Sequence, residues 1–257
     1  MNCPPYNFYL IMTDRRCYRN GRGDMMKTIG LIGGMSWEST VTYYQIINET
    51  IKNRLGGLHS AKCILYSVDF DEIEKYQTRG EWDKSADVLS EAAQALERAG
   101  ADYIVICTNT MHKVVPEIGR RIHIPILHIA DMTAVQLKKQ GIRKVGLLGT
   151  KYTMQQDFYK NILIRQGIEV IVPNDDDVDV VNRVIYDELC LGKIFEKSKA
   201  AYLDIIHKLA RNGAQGIILG CTEIGLLIQQ SDTDIPLFDT TLIHAEQAAL
   251  KSLVMVN

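Results

Sequence analysis

Two short segments carry side chains suited to moving protons: Cys107-Thr108-Asn109-Thr110-Met111-His112 and Gly220-Cys221-Thr222-Glu223. A thiol, with an ordinary pKa of about 8.5 that a helix N-terminus lowers, can serve as base or nucleophile. An aliphatic hydroxyl is a far poorer base and acts mainly as a proton donor or through a water. The hydroxyls, amides and backbone N–H groups that follow in each segment can hold a carboxylate at the start of a helix. Both segments come straight after apolar runs rich in β-branched residues, Tyr103-Ile104-Val105-Ile106 and Gly216-Ile217-Ile218-Leu219. Such runs read as buried parallel strands. Both segments should therefore stand at the carboxyl ends of strands, where open α/β sheets bind ligands. Cys221 is expected to be the reacting thiol, its pKa lowered towards neutrality by the helix that follows. Free cysteines are often inert core residues. Cys107, one position before the shared register, is read as core, and Cys63 and Cys190 as structural.

The elements that position these segments occur twice. Ile29-Gly30-Leu31-Ile32-Gly33-Gly34 resembles Val145-Gly146-Leu147-Leu148-Gly149-Thr150, 116 residues on, and Cys221 stands 113 residues after Thr108. Ile124-Pro125-Ile126-Leu127 resembles Ile235-Pro236-Leu237-Phe238, 111 residues on. Three matched pairs in one order imply an internal duplication into two α/β lobes. Lobe 1 is read as residues 25–130 plus 235–257 and lobe 2 as 131–234. Strands at Thr28 to Ile32, Cys63 to Val68, Tyr103 to Ile106 and Ile126 to Ile129 alternate with helices, and the second lobe repeats the pattern. That alternation predicts a parallel sheet with helices on both faces in each lobe. The helix from Trp37 to Arg54 is predicted to bury Val41, Tyr44, Ile47 and Ile51, and Met154 to Gln166 to form one helix.

Composition is that of an ordinary globular chain: 257 residues, 46% hydrophobic, 23% charged, formal net charge −2. Nothing in it favours nucleic acid or an anionic membrane as partner, and no apolar run approaches the roughly 18 residues of a membrane span. Six irregularly spaced cysteines point to free thiols and a reducing, cytoplasmic setting. Residues 1–24, with Arg15, Arg16, Arg19 and Arg22, have the order of a secretory signal reversed and are read as a disordered extension. The glycines at 30, 33 and 34 lack dinucleotide-binding spacing and are explained by a tight strand-to-helix turn. Ser36, in the loop that flanks the cleft, is kept as a site residue. His112, His123 and His128 lack ligand spacing, and Asp175 to Asp179 is read as a helix cap, so no metal and no cofactor is implied.

Taken together, Gly33-Gly34-Met35-Ser36, Thr108-Asn109-Thr110-Met111-His112, Leu148-Gly149-Thr150, Leu219-Gly220-Cys221-Thr222-Glu223 and Phe238-Asp239-Thr240-Thr241 resemble the motifs of the aspartate/glutamate racemase family. The resemblance runs from Lys27 to the C-terminus. It implies two pseudo-symmetric lobes, a site between them, no pyridoxal phosphate or metal, and a homodimer. It also implies α-proton transfer by two cysteines on opposite faces of the carbon. Here the first of these is replaced by Thr108, which implies efficient deprotonation from the Cys221 face only and faster labilisation of one enantiomer, the L form. Cys107 could take over the role only by reaching the cleft. By resemblance Asn109, Thr110 and Thr222 hold the α-carboxylate. Arg54 matches where acidic-substrate members keep an arginine for the side-chain carboxylate; a surface arginine on a last helical turn is the alternative. Those members also keep a lysine near Ile185 to Cys190, a segment that here has none. Aspartate and glutamate are the leading substrates if Arg54 enters the cleft, and a broad range of amino acids if it does not. A single-cysteine malonate-type decarboxylase and an inactive amino-acid-binding module remain as alternatives.

Overall fold

The computed structural model describes residues 26–253, so the extension at 1–24 lies outside the described residues. The first half runs β1 (Ile29–Gly33), α1 (Trp37–Leu55), β2 (Cys63–Ser67), α2 (Phe70–Arg79), α3 (Trp82–Arg98), β3 (Tyr103–Ile106), α4 (Val115–Gly119), β4 (Ile126–Leu127) and α5 (Ile129–Lys139). The second runs β5 (Lys144–Gly149), α6 (Lys151–Gln155), α7 (Asp157–Arg165), β6 (Glu169–Ile171), α8 (Asp175–Asp187), α9 (Glu196–Arg211), β7 (Ile217–Gly220), α10 (Ile224–Leu227), β8 (Leu237–Asp239) and α11 (Thr240–Ser252). Two four-stranded parallel sheets result, ordered β2-β1-β3-β4 and β6-β5-β7-β8. The same order twice is the duplication read in the sequence. Central strands β1, β3 and β7 are buried along their whole length, as a parallel sheet covered on both faces requires.

After the last strand of each sheet the chain crosses to the other lobe. Ile129, Ala130, Ala134 and Leu137 of α5 pack with Val145, Leu147 and Tyr159 of lobe 2. Ala245, Ala248 and Ala249 of α11 pack with Ile29, Tyr43 and Val105 of lobe 1. The predicted lobe boundary needs correcting here. Residues 235–239 lead into and form β8, which pairs with β7 in the second sheet, so only α11 returns to lobe 1.

Helix α1 buries Ser39, Thr40, Tyr43, Ile47 and Ile51, whereas Val41 and Tyr44 are 54% and 53% exposed. The predicted stripe was rotated because Tyr43 belongs inside: its hydroxyl meets His244 Nδ1 at 2.9 Å, which satisfies the polar end. The predicted helix from Met154 is interrupted at Gln156, whose extended backbone (ψ 159°) separates α6 from α7. The strand predicted to reach Ile129 stops at Leu127, because His128 caps α5 by accepting the Ala130 N–H.

Candidate active site

The loop after β1 is shaped by glycine. A side chain at Gly33 would approach Thr40 Cγ2 to 2.3 Å, and at Gly34, with φ +93°, Val68 O to 2.1 Å. The start of α1 is thereby drawn against β1, with Ser36 as its N-cap accepting from Ser39 N–H. Ser36 is buried and donates its hydroxyl across the lobes to Glu223 Oε1 at 2.8 Å. In the second lobe Thr150 caps α6 in the same way, and its hydroxyl lies 3.3 Å from Thr110 Oγ1 across the lobes. Thr110 stands two residues after Thr108, and Glu223 two after Cys221. Each lobe's active turn thus touches the helix cap of the other by a matched pair of contacts.

The two turns are held differently. Thr108 is partly exposed, and its carbonyl accepts from His112 Nδ1 at 2.8 Å. His112 Nε2 accepts the Ile129 N–H at 3.2 Å, which fixes one neutral tautomer. Burial and the neighbouring His128 and His244 hold this imidazole well below the usual histidine range. Asn109 donates through Nδ2 to Thr240 Oγ1 at 3.0 Å, and the Thr240 hydroxyl donates in turn to Leu219 O at 2.8 Å. That leaves Asn109 Oδ1 buried without a hydrogen-bond partner. In a site for a small acid such an acceptor suits an ammonium group.

Cys221 sits against a carboxylate. Its thiol donates to Glu223 Oε2 at 2.9 Å, Thr222 Oγ1 donates to the same oxygen at 2.7 Å, and Ser36 occupies the other. Burial first, then the negative charge of Glu223, push the thiol well above its ordinary pKa. The expected lowering by a helix N-terminus is therefore corrected. Helix α10 has only four residues and starts three positions beyond Cys221, so its field is weak beside the adjacent carboxylate. The thiol rests protonated with Glu223 placed to receive its proton.

Ser36, Thr108, Asn109, Thr110, Cys221 and Thr222 are all brought to the facing ends of β1, β3 and β7. Arg54 is not. It is exposed on the last turn of α1, about 27 Å along the axis from Ser36 at 1.5 Å per residue, near Glu246 of α11. Cys107 is fully buried with Ile29, Leu31 and Tyr43 on the far side of its strand, and burial raises its thiol pKa. It does not reach the cleft. Cys190 packs on the same apolar cluster as Cys221, its thiol pushed up to about 12 chiefly by burial. Sequence reasoning missed Glu223, Thr150, Thr240 and His112 as functional positions. The duplication held a signal for Glu223 and Thr150, since both fall on register positions whose partners, Thr110 and the first glycine loop, were already singled out.

A model of Asp/Glu/hydantoin racemases matches residues 32–248 of the chain. The chain belongs to the Asp/Glu/hydantoin racemase family. It is 24% identical over 231 residues to the broad-specificity amino-acid racemase of Bacillus subtilis (strain 168), covering 85% of this chain and 95% of that one. A Yersinia pestis structure assigned as an Asp/Glu racemase superposes with a TM-score of 0.83 at 59% identity, covering 88% of this chain and 99% of that one. An aspartate racemase homologue from Pyrococcus horikoshii OT3 gives 0.77 at 39% identity with the same coverage of each chain. These racemase relatives are isomerases, and their two-lobed architecture is the one described above. Among the described residues no helix is long and apolar enough to cross a membrane.

Proposed function

We propose that this chain is a cofactor-independent amino-acid racemase in which Cys221 removes the α-proton on one face and Thr108 serves the other. The observation that carries the reading is the Ser36–Glu223–Cys221 hydrogen-bond chain, set opposite the Thr108 turn at the equivalent strand end. The thiol proton passes to Glu223 Oε2, and the resulting thiolate takes the α-proton. The planar carbanion is then reprotonated on the opposite face by the Thr108 hydroxyl or a water it orients, which regains its proton from solvent as Glu223 releases the one it took. Asn109 Oδ1 receives the substrate ammonium, which adds positive charge beside the carbanion. Thr110, Thr222 and the N–H groups of both turns face the α-carboxylate.

The position of Arg54 outside the cleft favours a broad range of amino acids over a dicarboxylate specialist. The exposed stripe Trp37, Val41 and Tyr44 on α1 supports a homodimer through that helix. Proton NMR in deuterated buffer tests the activity directly. The α-proton signal of L-amino acids should disappear without added cofactor, and Cys221→Ala should stop it. Exchange that survives in Cys221→Ala would overturn the assignment, and carbon dioxide release from a disubstituted malonate would favour the decarboxylase.

A further inference from the structure

The described residues contain four free cysteines, and two of them share one corner of lobe 2. Cys190 and Cys221 are both partly buried and pack on the same apolar cluster, which includes Val184, Tyr202 and Leu219. The turn Leu189–Leu191, which carries Cys190, packs against α10, the helix into which the Cys221 turn leads. Tyr186 and Tyr202 lie near both sulfurs, each hydroxyl feeling the charge of either thiolate. The Glu223 carboxylate likewise acts on both thiols, and its Oε2 accepts from Cys221 Sγ at 2.9 Å. Cys63 and Cys107 pack instead in a cluster of lobe 1.

We infer that Cys190 and Cys221 form an oxidative modification site, where hydrogen peroxide joins the two sulfurs in a reversible disulfide that silences the reacting thiol. Peroxide oxidises the thiolate, not the thiol, and Glu223 is the acceptor that each resting thiol needs. First the Cys221 proton passes to Glu223, and the thiolate attacks peroxide and displaces hydroxide, leaving the sulfenic acid. The proton held on Glu223 turns that hydroxide into water. The Cys190 proton then passes to the same carboxylate, and the Cys190 thiolate attacks the Cys221 sulfur and expels a second water. In sum, two thiols and one peroxide give one disulfide and two waters, with two electrons passing from sulfur to oxygen. Cys190, read in the sequence as structural, thus intercepts the sulfenic acid before it goes on to sulfinic acid, which thiols do not reduce. A dithiol reductant restores both thiols by exchange. The site needs only the two sulfurs and Glu223, so it stands or falls apart from the racemase reading.

The test treats the full chain with hydrogen peroxide, removes the excess with catalase and reads peptide masses. In the parent, the peptides carrying Cys190 and Cys221 should appear joined, with the loss of two hydrogens, and dithiothreitol should separate them. In Cys190→Ser the Cys221 peptide should instead gain two oxygens that dithiothreitol does not remove. Cys190→Ala, which places no polar group in the apolar cluster, should behave in the same way. A disulfide from Cys221 to any other cysteine, sulfinic acid forming at Cys221 as fast in the parent as in the variants, or a Cys221 that peroxide leaves unchanged would each overturn the inference. Where L-amino acids exchange their α-proton, that exchange should be lost with the disulfide and return with dithiothreitol in the parent only; exchange that persists in the disulfide form would overturn the silencing. Absence of exchange in the untreated protein would overturn the racemase reading, while the masses still decide the disulfide.

Discussion

At the end of β3 stands a partly exposed threonine, Thr108, with a neutral imidazole on its carbonyl and a hydroxyl, Thr110, two residues on. At the end of β7, in the same register, a cysteine faces the cleft with a carboxylate, Glu223, two residues on. The backbones repeat and the cross-lobe contacts repeat, yet the proton chemistry does not. One face has a thiol with an acceptor for its proton; the other has a hydroxyl without one. The support differs as well. His112 and Gly225 are equivalent positions, each beside the cap of the crossing helix. His112 stacks near His128, with ring centroids 4.6 Å apart, whereas a side chain at Gly225 would meet Asp239 Oδ2 at 2.6 Å. Duplication thus supplied two matched frames, and the reacting groups diverged within them.

The comparison is broken most severely by removing the thiol. Cys221→Ala should reduce α-proton exchange of both enantiomers by about 10³-fold or more, within the range of lost general acid–base catalysis, while circular dichroism and Tm stay near those of the parent. Glu223→Gln keeps the size of the side chain and removes its charge. Exchange should fall roughly 10²-fold, yet iodoacetamide should alkylate Cys221 faster at neutral pH, because the charge that holds the thiol's pKa up has gone. A slower alkylation would refute the role given to Glu223.

Thr108→Cys restores thiol chemistry to both faces. The ratio of L- to D-exchange rates should move towards unity by about tenfold, and an unchanged ratio would mean that the asymmetry arises elsewhere. In Thr108→Ala, wash-in of deuterium to the L-enantiomer should outlast racemisation, which a polarimeter and NMR together resolve. His112 is a positioning residue for the Thr108 side. His112→Asn, whose amide nitrogen can still donate to Thr108 O, should lose only several-fold in racemisation and keep wash-in from the Cys221 face; His112→Gln should lose more.

The smallest effect on activity, and a distinct one on stability, concerns pH. Burial holds His128 down at about 4 and His244 at about 3 in the folded protein, against about 6.5 when unfolded. Between those values the unfolded chain binds more protons, so stability rises with pH and is lost as pH falls from about 6.5 towards 4. His128 alone should contribute on the order of 3 kcal/mol across that interval. Calorimetry from pH 7 to pH 4 should show Tm falling, and His128→Asn should flatten the fall.

How much of this was legible varies from place to place. Strand β3 and the turn after it were readable because a buried parallel strand is a continuous apolar run and its end is polar. The face of α1 was misread because Tyr43 and Tyr44 look alike in a helical period, and only the partner for a hydroxyl, His244 on α11, decides between them. Arg54 was placed by analogy of sequence position, but a regular helix of 19 residues carries it to the opposite end from the site. Glu223 was visible in its motif and passed over, since a carboxylate two residues from a cysteine acquires meaning only when the turn folds one onto the other.

By itself the sequence determined the two-fold repeat, the parallel sheets and the strand ends where chemistry must sit, because periodicity, apolar runs and glycine turns are local properties. Tertiary structure alone decided the state of the reacting groups. The acidity of Cys221 depends on burial and on how its turn folds Glu223 onto it, the tautomer of His112 on the distant start of α5, and the bond between Ser36 and Glu223 on residues 187 positions apart. Electrostatic free energy follows distance in space, and no spacing along the chain encodes that distance.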